Sequence, residues 1–246
     1  MDDDQFKRRF YPEANISGFS HVDGTISFFN QLAAIVRPTD FILDFGAGRG
    51  GPLHDDKVAY RRNLGNFKGR CQHVDGCDVD PVVLQNPFID EAKVIRIGER
   101  LPYEDNRFDI IFARHVFEHI EPAEFTAQEL MRILKPGGII AAVTPNKWGY
   151  IAISARSVPN SLHARVLSRS QPDRKPEDVF PTVYKLNTSR DLRRAFGDRA
   201  EIFITKIASE PAYHFGKPWL YRFMKLINKY SPEALLPVLD VYIRKQ

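Results

Sequence analysis

Closely spaced glycines follow an apolar segment with one acid in it, in the stretch FILDFGAGRGG from Phe41 to Gly51. The apolar residues predict a buried β-strand. Gly46, Gly48 and Gly51 predict a sharp turn into a helix, because glycine accepts positive φ and lets a ligand approach the backbone closely. This spacing indicates a nucleotide-like ligand. Asp44 would repel a pyrophosphate, but it suits a ligand that carries an ammonium group at the turn.

A second group of residues with chemical potential is His115, Glu118 and His119, which together spell H-x-x-E-H. Either histidine could act as a general base, and Glu118 could orient its neighbours. Alternatively, histidines four apart on a helix could bind Zn²⁺, with Glu118 as the base of a metalloenzyme. The motif falls at a strand-to-helix junction rather than inside a long helix, which argues against the zinc interpretation.

An acid also ends the second predicted strand, which runs from about Cys71 to Cys77 and is followed by Asp78. Since neighbouring parallel strands end at the same edge of a sheet, Asp78 should lie beside the glycine turn, where it could accept hydrogen bonds from both hydroxyls of a ribose. Asp80 is the alternative ribose ligand, although a carboxylate here could instead cap a helix that begins near Pro81.

The remaining pattern predicts an α/β protein with a doubly wound, mostly parallel sheet. Helices are predicted after Asp23 or Thr25, over Pro122 to Leu134 before a Lys-Pro-Gly-Gly stop, from a Thr188 cap to Phe196, and as an amphipathic basic-aromatic segment over Lys217 to Tyr230. The further predicted strands are Lys93 to Ile97, Phe108 to Ala113, Ile139 to Thr144, Glu201 to Ala208 and Leu236 to Ile243.

Length and composition are those of a globular protein: 246 residues, 43% apolar and 27% charged. Two cysteines are too few for a disulfide framework. The net charge of +4 is compatible with an anionic acceptor or with peripheral contact to a membrane surface. The sequence shows no signal-peptide pattern at its start and no apolar run long enough to cross a bilayer, so we expect a cytoplasmic protein.

Four motifs in order resemble those of the class I, Rossmann-like S-adenosylmethionine-dependent methyltransferases, in particular the type 11 branch. They are LDFGAGRG, GCDVDP, LPYEDNRFDIIFARHVFEHI and LKPGG, which lie between about Asp40 and Thr144. The resemblance implies a seven-stranded sheet of order 3-2-1-4-5-7-6 with an antiparallel last strand. It also implies S-adenosylmethionine as the cofactor, whose aminoacyl ammonium would meet Asp44.

The resemblance also assigns site residues. The cofactor would be bound by the turn (Gly46, Ala47 and Gly48), by Asp78 with the adjacent Val79, by Glu99 at the adenine and by Arg114 after the fourth strand. His119 matches a histidine that is frequent in this branch, and with His115 it is a candidate for catalysis. No metal ligand is assigned.

We expect a single methyltransferase domain over residues 1–246: a lead-in and helix over 1–37, the cofactor-binding core over 40–144, an acceptor lid over 145–186 inserted after strand five, and the rest of the sheet over 187–246. His163, Arg165 and Tyr184 are the candidate acceptor residues of the lid. Arginines and lysines outnumber acids between residues 156 and 178, which indicates an anionic acceptor.

The favoured function is O-methylation of a small molecule or glycan. A nucleic acid acceptor is disfavoured, because the fourth strand is followed by Arg114 and His115 rather than by the Asn/Asp-Pro-Pro-Tyr/Phe motif of enzymes that methylate bases. Asp44 argues against a nicotinamide-dependent oxidoreductase. A binding module without turnover remains the other alternative.

Overall fold

The computed structural model describes residues 3–157, 181–211 and 214–246. Its sheet has seven strands in the order β3-β2-β1-β4-β5-β7-β6. This order confirms the prediction. The strands are β1 (Phe41–Phe45), β2 (His73–Asp78), β3 (Glu91–Val94), β4 (Phe108–Arg114), β5 (Leu134–Pro145), β6 (Ala200–Ile207) and β7 (Val238–Lys245).

The first five strands run parallel, with β1 between β2 and β4. The end of β7 lies beside the beginnings of both neighbouring strands: Lys245 Nζ donates to the carbonyl of Leu134 at 2.6 Å, and the amide of Gln246 donates to the carbonyl of Arg199 at 3.0 Å. Strand β7 is therefore antiparallel, as expected. Because β1 and β4 are buried on both faces, their sequences are nearly continuous runs of apolar residues.

The helices begin close to the predicted start signals. The carboxylate of Asp23 accepts from the amide of Ile26 at 3.0 Å, so Asp23 rather than Thr25 caps its helix. Thr188 accepts from the amide of Asp191 at 3.1 Å, which confirms the second predicted cap. The helices are α1 (Asp3–Phe10), α2 (Ala14–Ser17), α3 (Gly24–Ile35), α4 (Gly51–His54), α5 (Ala59–Gly65), α6 (Ala123–Ile133), α7 (Tyr150–Ser157), α8 (Ser189–Phe196) and α9 (Pro218–Tyr230).

Two predicted boundaries were wrong. The third strand occupies Glu91–Val94 instead of residues 93–97. Strand β5 begins at Leu134, directly after α6, so the Lys-Pro-Gly-Gly segment lies inside a strand and does not separate two elements. Phe108 pairs with Leu134 and Ile110 with Ile139, so the segment forms a bulge in β5, and Gly137 takes a φ of +76° there.

The chain divides into two compact units. The sheet unit comprises Phe28–Thr144, Thr182–Thr205 and Leu239–Gln246, and it contains the whole of the predicted cofactor-binding range 40–144. Its core is apolar and includes Leu43, Ile111 and Leu130, none of which exposes any side-chain surface. The helical unit comprises Met1–Ser27, Pro145–Pro181 and Lys206–Val238, and a smaller aromatic cluster forms its core.

An ion pair between a buried acid and a partly exposed arginine lies at the opposite end of the sheet from the glycine turn. Asp75 is fully buried in β2, and its Oδ2 accepts from Arg107 Nε at 3.1 Å and from Nη2 at 2.9 Å. We expect Arg107→Met to lower the free energy of unfolding by about 3 kcal/mol, because the Asp75 carboxylate would stay buried without its cation. Urea denaturation measures the change. The paired variant Arg107→Met/Asp75→Asn should recover part of the loss; equal stability of native chain and Arg107→Met would contradict the argument.

Candidate active site

The glycine turn connects β1 to α4 and is held against the end of β2. The amides of Gly46 and Ala47 donate to the carbonyl of Cys77 at 2.8 and 3.1 Å. Gly46 and Gly48 have φ values of +84° and +49°, which confirms why the turn requires glycine. A Cβ on Gly46 would lie 2.3 Å from Val116, whereas a Cβ on Gly48 would meet only the Asp78 carboxylate, at 3.8 Å. The turn is thus tightly packed at Gly46 and open at Gly48.

Asn86 holds this turn from the side, a contact that no sequence motif predicts. Its Nδ2 donates to the carbonyls of Ala47 and Gly48, both at 3.2 Å, and its Oδ1 accepts from the amide of Phe88 at 2.9 Å. Since Asn86 is buried, these bonds fix the carbonyls of the turn from within the fold. Asn86 is 39 residues from Ala47 and 38 residues from Gly48 along the chain, so no local sequence pattern predicts the contact.

The two acids after β2 have different roles. Asp80 accepts from the amide of Val82 at 2.9 Å and caps the 3₁₀ helix Pro81–Gln85. Asp78 is half-buried beside the turn, where its Oδ2 accepts from the amide of Gly48 at 2.9 Å and its Oδ1 from the amide of Asp80 at 3.0 Å. The position of Asp78 suits the predicted ribose contact, and the exposed Val79 follows it.

Asp78→Ala should weaken S-adenosylmethionine binding at least tenfold, because the carboxylate both faces the open side of the turn and fixes the Gly48 amide. Isothermal titration calorimetry measures the change. Asp80→Ala is the matched control: it removes a helix cap two residues away and should change affinity less than threefold. If Asp80→Ala has the larger effect, the ribose assignment moves to Asp80.

Asp44 lies in β1, in register with Gly76 on one side and Phe112 on the other. Burial raises the pKa of its carboxyl to about 7; the Arg114 guanidinium opposes this rise and the Asp78 carboxylate adds to it. Arg114 itself lies over the ring of Phe29, at 5.3 Å from the centroid. A cationic group bound beside Asp44 would stabilise the charged carboxylate, which is what the predicted ammonium contact requires.

The end of β4 carries the second cluster. His115 has a φ of +54°, rare for a residue with a side chain, and its amide donates to the carbonyl of Val143 at 2.8 Å. Glu118 is buried, and Thr144 donates a hydrogen bond to its Oε2 at 2.9 Å. Asn187 Nδ2 donates to Thr144 Oγ1 at 2.7 Å. This chain of hydrogen bonds fixes the Glu118 carboxylate.

Glu118 Oε1 lies between the two histidines, 3.7 Å from His115 Nδ1 and 4.0 Å from His119 Nε2. The His115 side chain is 52% exposed and that of His119 is 20% exposed, so His115 is the more accessible to a ligand. The zinc interpretation required an α-helical turn to align the histidines. The segment instead combines a left-handed residue with the short 3₁₀ helix Phe117–His119, so this alignment is not formed.

Other predicted site residues lie farther from the turn or outside the described residues. Glu99 is exposed and pairs with Arg96 at 3.6 Å, so its adenine contact stays a prediction. Tyr184 is buried, and its amide donates to the carbonyl of Glu118 at 3.1 Å, which ties the 182–205 segment to the end of β4. His163 and Arg165 lie outside the described residues.

Part of the chain is similar in sequence to known methyltransferases. Residues 43–142 match the type 11 family, described as a methyltransferase domain. The chain is 30% identical over 106 residues to the sterol 24-C-methyltransferase of Schizosaccharomyces pombe, covering 42% of this chain and 27% of that protein. It is 22% identical over 237 residues to squalene methyltransferase 1 of Botryococcus braunii, covering 90% and 56%. The chain therefore spans between about a quarter and just over half of these relatives.

The fold is shared more widely than the sequence. An S-adenosylmethionine-dependent methyltransferase of Thermotoga maritima aligns with a TM-score of 0.52 at 13% identity, over 99% of this chain and 98% of that one. The sheet and the glycine turn thus define the Rossmann-like fold of class I methyltransferases. Within this fold, residues 43–142 of the chain are similar to the methyltransferase domain of the type 11 family.

The described residues fit S-adenosylmethionine, the cofactor of this family. The turn is open at Gly48, where the Asp78 carboxylate is the neighbour of a Cβ position, and a bound cation would stabilise the charged form of the Asp44 carboxylate, which interacts electrostatically with Asp78. Among the described residues, no helix is long and apolar enough to span a membrane.

Proposed function

We propose that this chain transfers the methyl group of S-adenosylmethionine to a hydroxyl oxygen of a small molecule or glycan, with His115 as the general base. The observation that carries the proposal is the arrangement of His115 beside Glu118 at the carboxyl end of β4. Doubly wound sheets bind their ligands at this edge. An alcohol requires a base because its proton is weakly acidic, and a histidine beside a fixed carboxylate can supply one.

Cofactor binding in this proposal falls to the glycine turn and its neighbours. Asp44 binds the ammonium group, Asp78 binds the ribose hydroxyls, and Asn86 keeps the Ala47 and Gly48 carbonyls in place. The sulfonium of the bound cofactor supplies a methyl group that can be displaced in line. The main tasks of the chain are then to hold donor and acceptor in line and to exclude water.

Proton transfer is assigned to His115. His115 would accept the hydroxyl proton of the acceptor when the acceptor oxygen takes the methyl group, which S-adenosylmethionine would supply with S-adenosylhomocysteine as the leaving product. Glu118 lies 3.7 Å from His115 Nδ1, a distance at which its charge stabilises the imidazolium without a direct hydrogen bond. Thr144 and Asn187 restrict Glu118 to this position.

A second candidate is methylation of an alkene carbon in an isoprenoid acceptor. It is favoured by the relatives, whose names give sterols and squalene as the methylated compounds. Addition of a methyl cation equivalent to an alkene leaves a carbocation, and a base must then remove a proton from it. The same His115 would do so, so the two candidates share a site and differ in the acceptor.

Anionic character of the acceptor is part of the proposal, and it rests on the basic residues between 156 and 178 of the sequence. A nucleic acid would present the same negative charge, so the acceptor panel below includes a short RNA.

Product analysis distinguishes the candidates. The protein is incubated with S-adenosylmethionine labelled with ¹³C at the methyl group and with sugars, hydroxylated isoprenoids, alkene isoprenoids and the RNA. The proposal predicts a methyl carbon with the ¹³C shift of an ether, together with stoichiometric S-adenosylhomocysteine. A methyl carbon bonded to carbon would select the second candidate. Failure to bind S-adenosylmethionine would overturn both.

A further inference from the structure

Helix α9 (Pro218–Tyr230) presents a row of large apolar side chains to solvent. Trp219 is 64% exposed, Phe223 55%, Leu226 53% and Tyr230 72%. Their spacing of four, three and four residues places them on one face of the helix, along almost its whole length. Contiguous exposed apolar surface of this kind marks an interaction site in a water-soluble protein, whereas scattered single residues do not.

The opposite face of α9 is fixed within the helical unit, so this row cannot rotate inward. Tyr221 is buried and stacks on Phe10 with 4.6 Å between ring centroids. Lys225 Nζ donates to the carbonyl of Phe10 at 2.8 Å, and Asn228 Nδ2 donates to the carbonyl of Ser209 at 3.0 Å. These contacts set the rotation of the helix about its axis.

The charged residues on the exposed face are all basic. Arg222 and Lys229 are exposed along one flank of this row, where the Arg222 guanidinium also lies 5.7 Å from the centroid of the Phe10 ring, and the exposed Lys217 precedes the helix. The segment from Lys217 to Tyr230 contains no aspartate or glutamate. A partner for this face must therefore accept apolar side chains and carry negative charge around them.

We propose that this face of α9 docks on a membrane surface that contains anionic phospholipid. A helix with aromatic and aliphatic side chains on one face and flanking Lys and Arg lies in the membrane interface, with its apolar side chains at the boundary of headgroups and acyl chains. Arg222 and Lys229 contact lipid phosphates, and their aliphatic stems cover apolar surface. This inference does not depend on the proposed function.

Vesicle flotation with the full chain tests the proposal. Vesicles of phosphatidylcholine with phosphatidylglycerol should carry the protein with them, vesicles of phosphatidylcholine alone should carry much less, and high salt should weaken the binding. The double variant Phe223→Ser/Leu226→Ser should bind anionic vesicles at least tenfold more weakly. Ile16→Ser is the matched control, because Ile16 is a single apolar residue, 92% exposed, on another helix of the same unit; it should bind like the native chain.

Charge reversal tests the electrostatic part. Arg222→Glu/Lys229→Glu should lose about tenfold or more in affinity for anionic vesicles, because two basic residues that attract the anionic surface are replaced by acids that are repelled by it. Arg190→Glu/Arg193→Glu, on the exposed side of α8, changes the net charge equally and should have a much smaller effect. Equal losses would show that only net charge matters and would overturn the assignment to α9.

Fluorescence and mass measurements separate the remaining outcomes. In a Trp148→Phe background Trp219 is the only tryptophan, and its emission should shift to shorter wavelength when anionic vesicles are added. An unchanged spectrum would contradict insertion. If light scattering shows a dimer that Phe223→Ser/Leu226→Ser converts to a monomer, and the native chain ignores vesicles, the face is a contact between two copies and the proposal is wrong.

Discussion

Asp44→Asn is expected to lose about 100-fold in affinity for S-adenosylmethionine, while its cofactor-free form becomes more stable than the native chain at pH 8. The loss of affinity follows from the removal of a negative charge beside the ligand ammonium. A charge-assisted hydrogen bond in a half-buried site contributes up to about 3 kcal/mol, which corresponds to about two orders of magnitude in Kd. Isothermal titration calorimetry measures this effect directly.

The gain in stability follows from the raised pKa of Asp44. In the unfolded chain an aspartate releases its proton near pH 4, whereas burial raises the folded pKa of Asp44 to about 7. Between these values Asp44 binds more protons in the folded state than in the unfolded state. Its contribution to the free energy of unfolding therefore falls as pH rises from about 4 to 7 and is then constant. Asparagine carries no such penalty. The variant should exceed the native chain by about 4 kcal/mol at pH 8 and by little at pH 4, because the pKa rises from about 4 to about 7 on folding and each pH unit corresponds to about 1.4 kcal/mol.

Affinity for the cofactor should rise with pH over the range in which the stability of the cofactor-free chain falls. Binding of an ammonium group requires ionised Asp44, so the affinity of the native chain should rise between about pH 5.5 and 7, where an α-amino group is still mostly charged. Asp44→Asn should show a flat profile over the same range. Asp78→Ala is the control for general weakening. It retains Asp44, so its affinity should still rise with pH, but over a lower range, because the Asp78 carboxylate no longer raises the pKa of Asp44. A slope that persists in Asp44→Asn would show that another group binds the ammonium.

The sequence predicted the glycine turn and the acids beside it, because these features depend on local spacing. The sheet order came from the resemblance to class I methyltransferases, not from spacing. The sequence could not predict Asn86, whose contacts with Ala47 and Gly48 exist only once β1 and the segment after β2 are side by side. Nor could it place the start of β5: Pro136 and Gly137 are typical of a turn, yet pairing with β4 keeps them in a strand as a bulge.

Helix α9 illustrates a different limit. The sequence predicted an amphipathic basic-aromatic helix, but aromatic residues occur on both of its faces. Only packing decides that Tyr221 is buried against Phe10 while Trp219 and Phe223 are exposed. A pattern of residue types therefore predicted the helix, and the contacts of the helical unit identified which face is available to a partner.

His115→Ala is expected to lower kcat about 100- to 1000-fold with an alcohol acceptor, because the acceptor oxygen would lose its general base. Affinity for S-adenosylmethionine should change little, since the cofactor contacts are assigned to the glycine turn, Asp44 and Asp78. Single-turnover kinetics with labelled cofactor separates the chemical step from product release. An acceptor that ionises without help, such as an acidic phenol, should restore most of the rate in the variant.

His119→Ala provides the comparison that assigns the base. His119 has only 20% of its side chain exposed and lies against the same Glu118 carboxylate, at 4.0 Å, so it has the position of a residue that supports the cluster. We expect its removal to lower thermal stability and to reduce kcat less than tenfold. Although the two histidines share one fixed carboxylate, the effects of removing them should differ in kind, because only one of them is assigned as the base. Only the loss of His115 should be recovered by a more acidic acceptor, because only His115 removes the acceptor proton. If His119→Ala instead abolishes turnover and the acidic phenol restores it, the base is His119, and the left-handed backbone at His115 serves to position the segment that carries it.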